Sequence, residues 1–275
     1  NLLSVNGTTV AQWQLGVFKS GQYPQCGVWY EGRLWLGGAV PNRFDASMSN
    51  QPYVFSPSDI NGNVADNHAI GLNVSSDDLT IFTWMHPDHQ GLLMGTASGE
   101  WLIQASVLND PITPTSVQAH KITKYGSNSR PDARRSGMAL IFVQRYALRV
   151  MEYLSDTFSG RFTARSINDS AKHLTVSGVT QIAVQEEKAP IVWAVTANNQ
   201  LVGSTYRRIS RFVTEAPIFE GWHRHQINDN NRMVTSICVL PDLGGLSDLL
   251  FMVTADSTDT TLTIDAGAVA HDHAV

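Results

Sequence analysis

The sequence has only two cysteines, Cys26 and Cys238, far apart in its 275 residues. Two thiols supply neither a disulfide framework nor a zinc cluster. Two buried free thiols are the expectation, and a single long-range bridge is the alternative. Long apolar runs are missing as well, and nothing approaches the roughly 18–20 consecutive apolar residues that a membrane-spanning helix needs. The opening "NLLSVNGTTV" carries no basic n-region and no apolar h-region, so no signal peptide is expected in it. Its start in mid-pattern reads as a piece of a longer polypeptide. Charge is sparse, with 16% charged residues and a formal net charge of −5. A mildly acidic chain lacks the basic surface on which capture of nucleic acid depends. Much of the surface is therefore polar and neutral, or covered by partners.

Helical periodicity is also scarce. Few windows keep apolar residues at i, i+3, i+4 and i+7 without an interrupting Gly, Pro or Asn. Short runs rich in Val, Ile, Trp, Tyr and Phe recur instead, at Val28 to Leu36, Leu92 to Met94, Leu140 to Val143, Ile191 to Val195 and Leu249 to Val253. Bounded by turn residues, they read as strands, and the chain as all-β. Measured from Leu34, Leu92, Leu140, Ile191 and Leu249, the spacings are 58, 48, 51 and 58 residues. A repeat of roughly 40–50 residues with about four strands is the mark of a β-propeller blade. One blade cannot bury both faces, so neighbours must stack. The expectation is a single β-propeller-like domain over residues 1–275 with about five or six blades, and a flexible tail over 258–275.

The stretch "LLMGTASGEWLI" (92–103) tests whether a glycine pair signals phosphate chemistry. A phosphate-binding loop needs Lys-Ser/Thr after its second glycine and then a helix. Here Glu100 and Trp101 follow. An anionic side chain would stand where the phosphate sits, so the stretch reads as a hairpin bend, with Gly99 supplying a positive φ. "ANNQ" (197–200) and "RYAL" (145–148) are placed alike in their units, and Asn198 and Asn199 tolerate left-handed backbone.

The order of several signatures carries a family resemblance. They are "WYEGRLWLGG…P" (29–41), "FTWMHPDHQGLLMGTASGEWLI" (82–103), "TPTSVQAHKITKYGSNSRP" (113–131) and "GMALIFVQRYALRVMEY" (137–153), followed by "AKHLT" (171–175), "IVWAVTANNQLVGSTYRR" (191–208) and "GWHRH" (221–225). In this order, over most of residues 13–240, the chain resembles the tail nozzle family of short-tailed bacteriophages, also called tail tubular protein B. The closing "DSTDTTLTIDAGAVAHDHAV" departs from that pattern. The resemblance implies a non-catalytic structural protein of the virion, made in the cytoplasm of the bacterial host. It implies a ring, generally a hexamer, below portal and adaptor, which encloses the DNA exit channel and supports fibres or tailspikes. The partners implied are further copies of the chain, the tail adaptor, a fibre or tailspike, and genomic DNA passing without specific binding; no cofactor is implied. Family members are longer than 275 residues, so this chain would be their central propeller-like portion.

Other constellations are weighed on their chemistry. "HPDH" sets His86 and His89 around Asp88, with His68 and Asp66 as further ligand candidates, but Pro87 and the strand context spoil a helical metal face. A polar loop between blades is preferred there. In "WHRH" strand alternation puts His223 and His225 on one face and Trp222 and Arg224 on the other, which suits a blade edge. His271 and His273 lie near the end, where a divalent cation would be unsupported. Lys121, Lys124, Arg130, Arg134 and Arg135 form the one basic segment, and either DNA phosphates, an acidic neighbouring subunit or solvent can face it. A subunit contact is preferred, since Arg forks suit interfaces. Trp35, Trp101, Trp193 and Trp222 are expected to pack the blades.

The carboxylates Asp45, Asp66, Asp77, Asp78, Glu100, Glu152, Glu186 and Glu187 are scattered, and no Gly-x-Ser-x-Gly or His-Glu-x-x-His occurs. A propeller hydrolase would need two of them to converge. Three Asn-x-Ser/Thr sequons, at Asn6, Asn73 and Asn168, carry no weight. The runner-up function is a propeller-type glycan-binding module for host receptor recognition, with Trp29, Tyr30 and Tyr53 stacking on sugars.

Overall fold

Alternating apolar residues and tight turns generate one motif repeatedly, the antiparallel meander. A computed structural model describes residues 3–5, 8–10, 18, 20–107, 109–155, 162–187, 189–207, 219–226, 232–242, 244, 247–256 and 262–265. Apart from Leu262–Asp265, the 258–275 stretch lies outside the described residues. A two-stranded ladder, β1 (Leu3–Val5) and β2 (Thr8–Val10), comes first. The first four-stranded sheet joins β3 (Cys26–Tyr30), β4 (Arg33–Gly37), β5 (Arg43–Ala46) and β6 (Ile70–Asn73). The second joins β7 (Phe82–Asp88), β8 (Gly91–Thr96), β9 (Gly99–Ala105) and β10 (Val117–Thr123). The third holds β11 (Arg134–Ser136), β12 (Ala139–Val143), β13 (Val150–Ser155) and β14 (Phe162–Ser166). A 3-10 helix, Asp169–Leu174, leads to the fourth, with β15 (Val179–Gln185), β16 (Ile191–Thr196), β17 (Leu201–Arg207) and β18 (Phe219–His225). Strands β19 (Arg232–Pro241), β20 (Asp248–Asp256) and β21 (Leu262–Asp265) complete a three-stranded sheet.

In every sheet the strands pair in chain order, so the described residues give five blade-like sheets and the ladder. The fold is all-β and propeller-like. It divides into two compact units, Asn1–Gly126 and Ser127–Val275. In the first unit, Trp35 and Phe44 of one sheet meet Phe82, Leu92, Met94 and Ile103 of the next in a single cluster. In the second, β16 is buried along its whole length. Its period of two sends Val192 and Ala194 into a cluster with Ile141 and Val150, and Ile191, Trp193 and Val195 into another with Val234 and Ile237. One uninterrupted apolar run therefore serves two cores, as a sheet covered on both faces requires.

The turns refine the expectations. "LLMGTASGEWLI" is a hairpin, closed by the Thr96–Gly99 pair with Ala97 and Ser98 at its tip. Gly99 is needed for close approach as much as for its φ of +156°, because a Cβ there would stand 2.3 Å from the Thr123 carbonyl oxygen. Ala147 and Asn199 take left-handed φ values of 61° and 60° in the two corresponding turns. The Val28-to-Leu36 run is a hairpin and not one strand, since Glu31 and Gly32 turn the chain at φ 48° and 68°. Neither cysteine forms a disulfide, and the expected burial is not met: Cys26 is half-buried and Cys238 exposed. Ile237 packs inward from β19, and alternation turns its neighbour Cys238 away.

The first blade owes its length to residues 47–69, which connect β5 to β6 and are tied down by a buried cation. Arg33 is 3% exposed. Its guanidinium donates to the carbonyls of Ser47 at 2.8 Å, His68 at 2.6 Å and Asp66 at 2.5 Å. Burial lowers its pKa, against the opposing pull of Glu31 and Asp66. Arg33→Met removes these donors at nearly constant volume. We expect a loss of about 1–2 kcal/mol and faster amide exchange throughout residues 48–68, read by hydrogen–deuterium exchange. Unchanged protection in that loop would show that the clamp does not hold it.

Candidate functional site

The loops at one end of the first unit are physically joined. The Asn50 N–H donates to Gly32 O at 2.6 Å, the Ile112 N–H to Glu31 Oε2 at 2.9 Å, and the Thr115 hydroxyl to Asp66 Oδ1 at 3.5 Å. The Glu31 turn, the turn at 88–91 and the segment 104–112 line a pocket of about 200 Å³, with Tyr30, Glu31, His89, Gln104, Asp110 and Ile112 among its walls. Burial pushes the Tyr30 phenol up to about 12, assisted by the Glu31 carboxylate, through space and by a hydrogen bond, and by Asp88. The phenol remains a donor across the physiological range, inside a negative field. The turn at Glu31–Gly32, the segment 47–69, the turn at 88–91 and the segment 105–116 contribute Glu31, Asp59, Asp66, Asp88 and Asp110 and no lysine or arginine. Tyr53, Ile60 and Val64 on the 47–69 segment are exposed, as is Val107, which also lines the pocket.

The histidine and metal candidates separate. His86 and Asp88 belong to strand β7 rather than to a loop between blades, and the Asp88 carboxylate is 3.1 Å from His89 Nδ1. His68 accepts the Ala65 N–H at 2.9 Å, which ties it to its own turn. Among the described residues, no group of three or more His, Cys, Asp or Glu could hold a metal ion. His271 and His273 lie outside the described residues. His223 and His225 share one face of β18, with ring centroids 4.6 Å apart, and His225 lies 4.8 Å from Trp193.

The basic segment straddles the boundary of the two units. Lys121 and Lys124 fall in the first unit, where Lys121 reaches Ser98 at 3.3 Å and Asp78 at 3.5 Å. Arg130, Arg134 and Arg135 fall in the second, where Arg134 pairs with Asp132 at 2.9 Å. The four tryptophans lie in packing positions. Trp35, Trp101 and Trp193 are buried, and half-buried Trp222 donates to Ile167 O at 2.7 Å. Trp29 and Tyr53 are exposed, 51% and 93%, as sugar stacking requires, whereas Tyr30 is half-buried.

The buried carboxylates are engaged one by one. Asp45 pairs with Arg43 at 2.8 Å. Glu100 accepts the Thr123 hydroxyl, and Glu152 accepts from Arg165 and Tyr206. Asp77, Asp78, Glu186 and Glu187 are exposed. The sequon at Asn168 is fully buried, while Asn73 is exposed and Asn6 lies outside the described residues.

The fold defines the class as all-β and propeller-like. No protein-family model and no curated protein matches the chain. Among solved structures it is similar to human WBSCR16, at 13% identity and a TM-score of 0.45, over 86% of this chain and 62% of that one. It is also similar to a luciferin-regenerating enzyme, at 12% identity and a TM-score of 0.32, over 86% of this chain and 85% of that one. The chain thus spans about 62% of the length of the WBSCR16 structure. At these values neither likeness bears on function.

Proposed function

We propose that this chain is a non-catalytic structural component of a short-tailed bacteriophage tail, a nozzle element that surrounds the DNA exit channel below portal and adaptor. The supporting observation is the coincidence of signature order with sheet order. "WYEGRLWLGG" covers the β3–β4 hairpin, "GLLMGTASGEWLI" covers β8–β9, "GMALIFVQRYALRVMEY" covers β12–β13, and "IVWAVTANNQLVGSTY" covers β16–β17. The last three signatures are the central strand pairs of their blades, and the first lies on the outer pair of its blade. The task of such a protein is to hold shape while DNA moves past it. A net negative lining would keep phosphates from condensing on the wall, because without lysine and arginine contacts no counterions are released on binding.

Electron microscopy of the purified polypeptide that carries this sequence should show rings with a central hole, generally six-fold. Single particles without a hole at every concentration would sink the reading. The exposure of Trp29 and Tyr53 favours the second reading, a glycan-binding module. Selective binding on a glycan array, in a protein that forms no ring, would make that reading the better one.

A further inference from the structure

The acidic, apolar end of the first unit has a counterpart in the second. The β12–β13 turn, residues 144–149, is bonded to a loop on either side. Asn128 donates its side-chain amide to Arg145 O at 3.0 Å. On the other flank the Val179 N–H donates to Ala147 O at 2.7 Å, and the Thr175 hydroxyl to Leu148 O at 2.9 Å. This joined cluster presents four exposed cations, Arg130, Arg145, Arg149 and Lys172. Asp169 lies 3.2 Å from Lys172 and also feels Arg149 through space, so it offsets part of this charge. Among the cations stand Tyr146, 70% exposed, Leu148, and Val176, 73% exposed. Arg145 lies over the Tyr146 ring, 5.4 Å from its centroid.

The loops of both surfaces are tied by hydrogen bonds, so little backbone has to be ordered on binding. Both combine exposed apolar side chains with an excess of one sign of exposed charge, and the signs are opposite; Asp169 and the buried Arg33 offset part of each. Either surface meeting itself would set like charges together, which costs several kcal/mol at an interface. Two-fold pairing through one patch is therefore disfavoured. Contact between unlike patches is favoured, and such a contact repeats from copy to copy into a ring or a fibre.

We propose that the acidic face around Glu31, Asp66, Asp110 and Tyr53 of one copy receives the basic face around Arg145, Arg149 and Tyr146 of a second copy of this chain. The exposed aromatics form the dry centre, and an arginine side chain of the neighbour enters the pocket beside Glu31. This contact rests on the ring-forming reading and names the surfaces that build the ring.

The test is charge reversal on the whole polypeptide, with assembly followed by sedimentation velocity and electron microscopy. Asp66→Lys with Asp110→Lys makes the first face basic, and Arg145→Glu with Arg149→Glu makes the second acidic. Thermal melting checks that each variant folds. Each pair alone should raise the concentration needed for assembly by about tenfold or more, equal to 1.4 kcal/mol or more. All four changes in one chain should restore assembly to within about threefold of the parent, since the signs are again opposite. Raising the salt should weaken assembly of the parent. Rings that form equally well in every variant overturn this contact and leave the ring reading standing. Failure of the fourfold variant to recover, although folded, also overturns the contact. A parent that never forms rings overturns both.

Discussion

Glu152→Ala is expected to cost about 3 kcal/mol, the lower end of the range for breaking one side of a buried ion pair. Glu152 is fully buried on β13. One carboxylate oxygen receives Arg165 Nε from β14 at 2.6 Å, and the other receives the Tyr206 hydroxyl from β17 of the next sheet. Alanine removes the carboxylate that accepts from a guanidinium and a buried phenol. The loss falls at the low end because the Arg165 side chain is 30% exposed and water can replace part of the partner. Urea unfolding followed by tryptophan fluorescence reads the loss, in a double-mutant cycle with Tyr206→Phe. A coupling energy near zero between the two sites would show that Glu152 does not join the sheets.

Asn168→Ala should cost about 2–4 kcal/mol, because each buried polar group left unpaired costs about 1–3 kcal/mol. Asn168 Oδ1 accepts the Val150 N–H at 3.1 Å and the Ser166 hydroxyl at 3.0 Å. Its Nδ2 donates to Leu148 O at 3.0 Å and to the Thr175 hydroxyl at 2.8 Å. Every polar position of the amide is used, and the side chain ties β13 to the approach to the 3-10 helix. Asn168→Asp separates shape from hydrogen bonding. At neutral pH the new carboxylate faces the Leu148 carbonyl, acceptor against acceptor. Protonation restores one donor, so the folded state holds that proton more tightly than the unfolded chain, where an aspartate titrates near about 3.9. The deficit of Asn168→Asp against the parent should be smallest at acidic pH and grow as pH rises above that value. Parallel melts of Asn168→Asp and Asn168→Ala between acid and neutral pH decide it. If the Asp deficit does not change with pH, the donor side of the amide is not what stabilises the fold.

Part of this was legible in the residues. The runs at Leu92, Leu140, Ile191 and Leu249 are strands, their spacing marks successive sheets, and Asn199 turns the chain where an αL-tolerant residue was expected. The Glu31–Gly32 turn was hidden, because glutamate seldom adopts a positive φ and no Asn or Asp announces it. Arg33 was hidden for a different reason. Its three acceptors are carbonyls of residues 47, 66 and 68, which no local pattern links to it. The five charges of the basic segment fall on both sides of the boundary between the two units. The cations grouped around the β12–β13 turn come from that turn, the loop holding Arg130 and the 3-10 helix.

The sequence by itself determined which stretches become strands, where most hairpins turn, and that the chain is built of repeated meanders. Those choices depend on residues within a few positions of one another, through the two-residue alternation of strands and the backbone freedom of Gly and Asn. Tertiary structure alone decided the partners of Arg33, Glu152 and Asn168 and the grouping of Glu31 with Asp66 and Asp110. Those arrangements depend on hydrogen bonds and packing between residues that folding brings together from far along the chain, and no local pattern encodes such distances.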